Sequence, residues 1–194
     1  MEADNFLVER AKKGDMAAFS ELVSRHQKSL LRLAFRVVRD VPSAQDVVQE
    51  SFFKAYQKLS SFEGRSAFKS WIFQIALNTA KNRLRGRSYE SVDLEKTVLA
   101  DACDIEGEMM NADLKQMIQV EIEKLPTKQR TALQLRIFED LSFAEIAEVM
   151  ACPYDTAKAN YRHALMKLRH RLSDSLLFEG WHKQQAKQLL EADA

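Results

Sequence analysis

The chain has few of the residues that cross-link or punctuate a fold: two cysteines, three prolines and five glycines in 194 residues. Cys103 and Cys152 stand far apart, without CxxC or Cys/His ligand spacing. This argues against a disulfide framework or a zinc site and suits a reducing compartment. So little glycine and proline points away from a turn-rich β fold and towards helices. No apolar run approaches the ~20 residues of a membrane-spanning helix. The opening MEADNFLVERAKKGD lacks the apolar core of a signal peptide. The expectation is a cytoplasmic protein without membrane insertion. No nucleophile–base pair, metal cluster or phosphate-binding glycine loop argues for an enzyme, a cofactor or a metal.

What is present is ordinary in total and uneven in distribution. A content of 46% hydrophobic and 29% charged residues suits one or two cored globular domains. The net charge of +1 hides segregation along the chain. Between Arg65 and Tyr89 lie six basic residues (Arg65, Lys69, Lys81, Arg83, Arg85, Arg87) and no acid. Phe68, Trp71 and Phe73 are interleaved with them. Cations that follow phosphates and rings that stack on bases suit a single nucleic-acid strand. A solvated basic helix face has the same composition. From Glu90 to Asp113 the character reverses, with eight acids against Lys96 and weak periodicity, which is linker composition.

The periodicity predicts helices throughout. Asp4 or Asn5 caps a short helix ending at Gly14, and Asp15 caps a long one with Phe19, Leu22, Leu30, Leu33 and Ala34 inward. His26 shares that stripe and reads as a satisfied, half-buried histidine. After a break around Pro42, Ser43-x-x-Asp46 reads as a capping box. The helix it opens turns Ala44, Val48, Phe52, Ala55 and Leu59 inward and Asp46, Gln49, Glu50 and Phe53 outward. An exposed phenylalanine among acids and an amide has the composition of a protein-docking patch.

After a Gly64 loop, Ser66 caps a helix that places Phe68, Ile72, Ile75, Ala76 and Thr79 on its core side. Trp71, at the border, reads as a core anchor. Gln74, Asn78, Lys81 and Arg85 form a second stripe with Asn82 beside it, amides for base edges and cations for phosphates.

The second half restarts with a helix carrying Met117, Ile118 and Ile122, then another after Pro126-Thr127. Ser142-x-x-Glu145 opens a short helix, Ala151–Tyr154 makes a tight turn with Cys152 as a small buried residue, and a longer basic helix begins at Asp155 or Thr156. These are the parts of a helix-turn-helix. Lys158, Ala159, Asn160, Arg162 and His163 point outward near its start. Leu176, Phe178 and Trp181 suggest that the tail packs on its own domain.

Three segments in this order resemble the bacterial extracytoplasmic-function sigma factors of RNA polymerase, over residues 5–172. Asp46-x-x-Gln49-Glu50-x-Phe52 is similar to the family's polymerase-binding segment. Phe62-x-Gly64-x-Ser66-x-Phe68-x-x-Trp71-Ile72-x-x-Ile75-Ala76-x-Asn78 is similar to its minus-ten segment. Leu125–Leu172 resembles its minus-thirty-five domain.

The resemblance implies an all-α protein of two helical domains. A region 2-like bundle (1–89) and a region 4-like helix-turn-helix domain (113–172) would be joined by an acidic flexible linker (90–112) and followed by a helical extension (173–194). It implies that Asp46, Gln49, Glu50 and Phe53 meet the clamp helices of the largest polymerase subunit. The second domain would meet the polymerase flap. Phe62, Gly64, Arg65, Ser66 and Phe68 would hold a flipped minus-ten base, with Asn78, Lys81, Asn82 and Arg85 on the same strand. Thr156, Lys158, Asn160, Arg162 and His163 would lie against upstream promoter DNA. An anti-sigma factor and a stress response are further family expectations.

Two departures stand out. Gln45 precedes Asp46 where an acid is frequent, and Asp155–His163 lacks a serine and two arginines of the usual recognition helix. No minus-thirty-five sequence is therefore transferred. The rival reading is a two-domain helix-turn-helix regulator that does not bind polymerase as a sigma subunit.

Overall fold

The computed structural model describes residues 3–87 and 112–173. Most of the acidic stretch 90–112, with Cys103, and all but the first residue of 173–194 lie outside them. The described residues form eight α-helices and one 3-10 turn, with no strand.

The first four helices make one bundle: α1 (Asp4–Lys12), α2 (Met16–Val38), α3 (Val41–Lys58) and α4 (Phe68–Arg87). Neither Asp4 nor Asn5 caps α1, whose N-cap is Ala3. The Asp4 carboxylate is engaged elsewhere: it meets His26 Nε2 at 2.6 Å and accepts from Arg25 at 3.1 Å. His26 is thus a buried and partnered histidine, and it ties α1 to α2. Gly14, at φ +92°, turns the chain between these helices. Asp15 then caps α2, accepting from the amides of Ala17 and Ala18.

The start of α3 differs from the expected capping box. Asp40 is the cap, its carboxylate accepting from Ser43 N at 2.9 Å, and Pro42 stands in the first turn. A proline there forfeits no helical hydrogen bond. The helix begins three residues earlier than the Ser43 box would place it, so Ser43 is inside the helix and buried.

Leu22, Leu30, Leu33, Phe68, Ile72, Phe73 and Leu77 are essentially inaccessible. Burial of each such side chain contributes about 1.5–3 kcal/mol relative to exposure. Trp71 is the expected anchor: its ring lies 4.7 Å from that of Phe62 and 5.9 Å from that of Phe68.

The second domain comprises α5 (Ala112–Glu123), α6 (Thr127–Glu139), α7 (Phe143–Met150) and α8 (Tyr154–Ser173). Ser142 and Glu145 form the reciprocal capping box expected from their spacing, a feature that stabilises a helix by about 1 kcal/mol. Leu133, Leu135, Ile146, Ala157 and Ala164 are buried where α6, α7 and α8 meet. The chain leaves α2, α6 and α7 through left-handed residues that are not glycine, Arg39, Asp140 and Ala151.

The two domains are packed together, α7 lying against α4. Ser70, on the polar side of α4, is fully buried there, within 3.4 Å of Glu145. Gln74 donates to the Glu148 carbonyl at 2.8 Å. Arg39 at the end of α2 pairs with Glu123 of α5.

Candidate protein and nucleic-acid interfaces

The outward face of α3 is the most open of the three faces. Phe53 is 63% exposed although it is a large apolar residue. Gln49 and Glu50 are exposed beside it. Helical spacing explains the patch: Phe52 and Ala55 are buried, which turns Gln49, Glu50 and Phe53 to the other side. Glu50 pairs with Lys54 at 2.6 Å, and Lys54 also donates to Thr79 of α4 at 3.1 Å. Asp46 pairs with Arg83 of α4. The face is therefore braced from behind by α4. Sequence reading placed Arg83 only in a basic run and missed this tie, because its partner lies 37 positions away.

The loop before α4 divides its residues between core and surface. Phe62 and Phe68 are 7% and 1% exposed. They pack against each other, ring centres 6.2 Å apart, as an apolar floor beneath the loop. Between them Gly64 takes φ +71° with open space around it. Arg65 is 85% exposed, in a 2.5 Å pair with Glu63. Ser66 is half-buried. Arg65, Ser66 and Gln74 line one side of an open groove of about 550 Å³. Glu148, Cys152 and Pro153 of the second domain line the other. Cys152 is half-buried rather than fully inside.

Along α4, Asn78, Asn82 and Arg85 are exposed, while Gln74 and Lys81 are half-buried. The Lys81 ammonium is pushed below its ordinary pKa by burial, and further by the cations Lys128 and Arg85. The second domain thus covers one edge of the polar stripe and leaves the other open.

On α8, Arg162 and His163 are exposed, and Lys158 and Asn160 are half-buried. Thr156 is exposed at the start of the helix, and Asn160 Nδ2 donates to its carbonyl at 2.8 Å. Ala157, Tyr161, Ala164 and Leu168 hold the opposite side in the core. Asp155, Lys158, Ala159, Arg162, His163 and Met166 surround a shallow surface depression of about 340 Å³. Among the described residues no cluster of His, Cys, Asp and Glu could hold a metal ion, and no helix is long and apolar enough to cross a membrane.

Residues 22–89 match sigma-70 region 2, and residues 115–168 match sigma-70 region 4. The chain belongs to the sigma-70 family, in its extracytoplasmic-function group.

Relatives of this sigma factor share about two residues in five along most of its length. The RNA polymerase sigma-H factor of Pseudomonas aeruginosa is 41% identical over 169 residues, covering 81% of this chain and 88% of that protein. The extracytoplasmic-function sigma-E factor of Haemophilus influenzae is 40% identical, covering 87% and 95%. That of Escherichia coli K12 is 42% identical, covering 80% and 87%. The fold is also that of CnrH in complex with the cytosolic domain of CnrY, with a TM-score of 0.67 at 24% identity over 90% of this chain and 99% of CnrH. The sigma factor RpoE of Bartonella quintana, solved with the anti-sigma factor NepR, gives 0.62 at 24% identity over 80% and 96%.

Proposed function

We propose that this sigma factor directs core RNA polymerase to specific promoters and starts transcription there, as a specificity subunit without catalysis of its own. The observation that carries the reading is the exposed Gln49, Glu50 and Phe53 face, braced by Arg83 and Lys54 on the same helices that hold the basic strand face. A helix-turn-helix regulator acting without polymerase has no use for such a face.

In this reading residues 1–89 dock polymerase and take the minus-ten strand, and 113–172 dock upstream duplex and the polymerase flap. Residues 90–112 connect them, and 173–194 are a C-terminal extension. Asp46, Gln49, Glu50 and Phe53 meet the clamp helices. Gly64, Arg65 and Ser66 receive a flipped base on the floor made by Phe62 and Phe68, an unstacking that costs a few kcal/mol. Asn78 and Asn82 read base edges, and Lys81 and Arg85 hold phosphates. Thr156, Lys158, Asn160, Arg162 and His163 face the major groove. The protein works in the cytoplasm, in a stress response, under an anti-sigma factor. Support for that control is the fold shared with a sigma factor solved bound to an anti-sigma factor.

The test is Glu50→Lys. It reverses one exposed charge in a helix whose core side is untouched, so the far-UV helical signal is expected to persist while co-purification with core polymerase and run-off transcription are lost. Retained binding would move the docking face elsewhere.

A further inference from the structure

Three cations of the first domain converge on one acid of the second. Arg36 Nη1 donates to Glu139 Oε1 at 3.2 Å, and Arg32 Nη2 lies 3.6 Å from Oε2. Lys69 Nζ donates to the Glu139 main-chain carbonyl at 2.7 Å. The Glu139 side chain is 1% exposed, and a carboxylate so buried requires opposite charge around it. Arg36 also lies over the ring of Phe138, 4.2 Å from its centre. Viewed from the first domain, the arrangement is a cradle of two guanidinium groups and one ammonium gripping a compact set of oxygens. Those are the donors, and that is the spacing, that suit a backbone phosphate. Lys69 follows Arg65 by four residues, so the cradle adjoins the loop end of the strand face.

We propose that Arg32, Arg36 and Lys69 form a further phosphate-binding site for the single DNA strand, and that Glu139 fills it while the two domains are packed. The proposal rests on the sigma-factor reading and adds to it. Glu139 leaves the cradle only when the second domain lifts off α4. The same movement frees Gln74 from the Glu148 carbonyl, uncovers Lys81 and opens the groove beside Arg65 and Ser66. Lys81 favours that movement, because its charge is partly desolvated and faces Lys128 in the packed form. Strand binding and domain packing therefore compete for one set of cations, and the free chain holds its strand face partly closed.

The test uses the full chain and a fluorescein-labelled, mixed-sequence single-stranded DNA, read by anisotropy across a salt series, with X-ray scattering to report domain separation. Glu139→Gln and Glu139→Ala are each expected to raise the radius of gyration. Each is also expected to raise affinity by about tenfold, the penalty lifted when a mostly closed population opens. Adding Arg36→Gln to the Glu139→Ala chain is expected to lower the slope of log affinity against log salt by about 0.7, one phosphate on a single strand. Lys13→Gln, an exposed change outside the cradle, is expected to leave that slope unaltered. No gain in affinity in either Glu139 variant overturns the competition. A gain whose salt slope ignores Arg36 overturns the phosphate site and leaves Glu139 as a structural tie. Failure of the wild-type chain to support run-off transcription would instead strike the sigma-factor reading.

Discussion

The two proposed nucleic-acid faces of this sigma factor are built from similar residues and differ in what covers them. On α8, Arg162 and His163 stand in solvent, and the core residues Ala157, Tyr161 and Ala164 lie behind them. On α4, Asn78, Asn82 and Arg85 are open, but Ser70 is buried, Gln74 is bonded to α7 and Lys81 is half-buried. A duplex-docking face can act as soon as the molecule meets DNA. A strand-holding face is useful only after a duplex has opened, and here part of it is occupied by the protein's own second domain until the domains separate. If the two faces act as proposed, the packing of the free chain would itself favour duplex docking before strand capture.

The comparison breaks most severely if the covering domain is unseated. Ile146 is fully buried in α7, and Ile146→Ala is expected to destabilise the second domain by about 2–5 kcal/mol. Calorimetry should show that domain melting earlier while the first bundle holds. A single transition lowered as a whole would mean that the two domains share one cooperative core.

Arg162→Ala sharpens the other side. It is expected to weaken binding to upstream duplex by about 1–3 kcal/mol while leaving single-strand binding intact, as measured by anisotropy on both DNAs. Asn78→Ala should do the reverse at a smaller scale, about 1 kcal/mol. Open-complex formation is expected to fall more than duplex binding. Equal loss in both would make Asn78 part of the fold rather than of base reading.

The smallest effect concerns pH at the domain contact. Burial pushes the Glu123 carboxyl up, but the bond and charge of Arg39, the Gln119 amide and the charge of Arg130 together outweigh this and hold it below its ordinary 4.5. Glu145 behaves likewise, with burial outweighed by its bonds to Ser142 and Ser70 and the charge of Lys69 taken together. Both groups therefore bind a proton less readily folded than unfolded. The stability they contribute is full above pH 4.5 and is lost as pH falls through their lower folded values. Urea midpoints should be flat above that value and decline below it, and Glu123→Gln should reduce the decline.

Much of this was legible in the sequence because it is local. Helical spacing separates Phe52 and Ala55 from Gln49 and Phe53, and Phe68 and Ile72 from Asn78 and Arg85, whatever else the chain does. The Ser142–Glu145 box and the Asp15 cap are likewise decided within one turn. Two errors concern helix caps. Asp40 displaced Ser43 as the cap of α3 because its carboxylate reaches the Ser43 amide three residues on. Asp4 was drawn from capping by His26 and Arg25, more than twenty positions on.

What remained illegible is contact between the domains. Ser70, Gln74, Lys69 and Arg36 are polar, so their pattern reads as solvated surface, and Glu139 lies 103 positions from Arg36. Nothing in a period of 3.6 residues reports that a polar face is covered by another polar face. The burial of Phe62 and Phe68 was half visible: Phe68 falls on the core stripe, whereas Phe62 precedes the helix and has no phase to read.

Amine labelling of the free chain, read site by site by mass spectrometry, tests most directly whether one face is covered and the other open. Lys69 is bonded to the Glu139 carbonyl, Lys81 is half-buried, and Lys167 on α8 is exposed. Lys69 and Lys81 are expected to react slowly and Lys167 fast, with Lys69 and Lys81 rising to the rate of Lys167 in the Ile146→Ala chain. Equal rates at all three lysines in the wild-type chain would contradict the covered strand face.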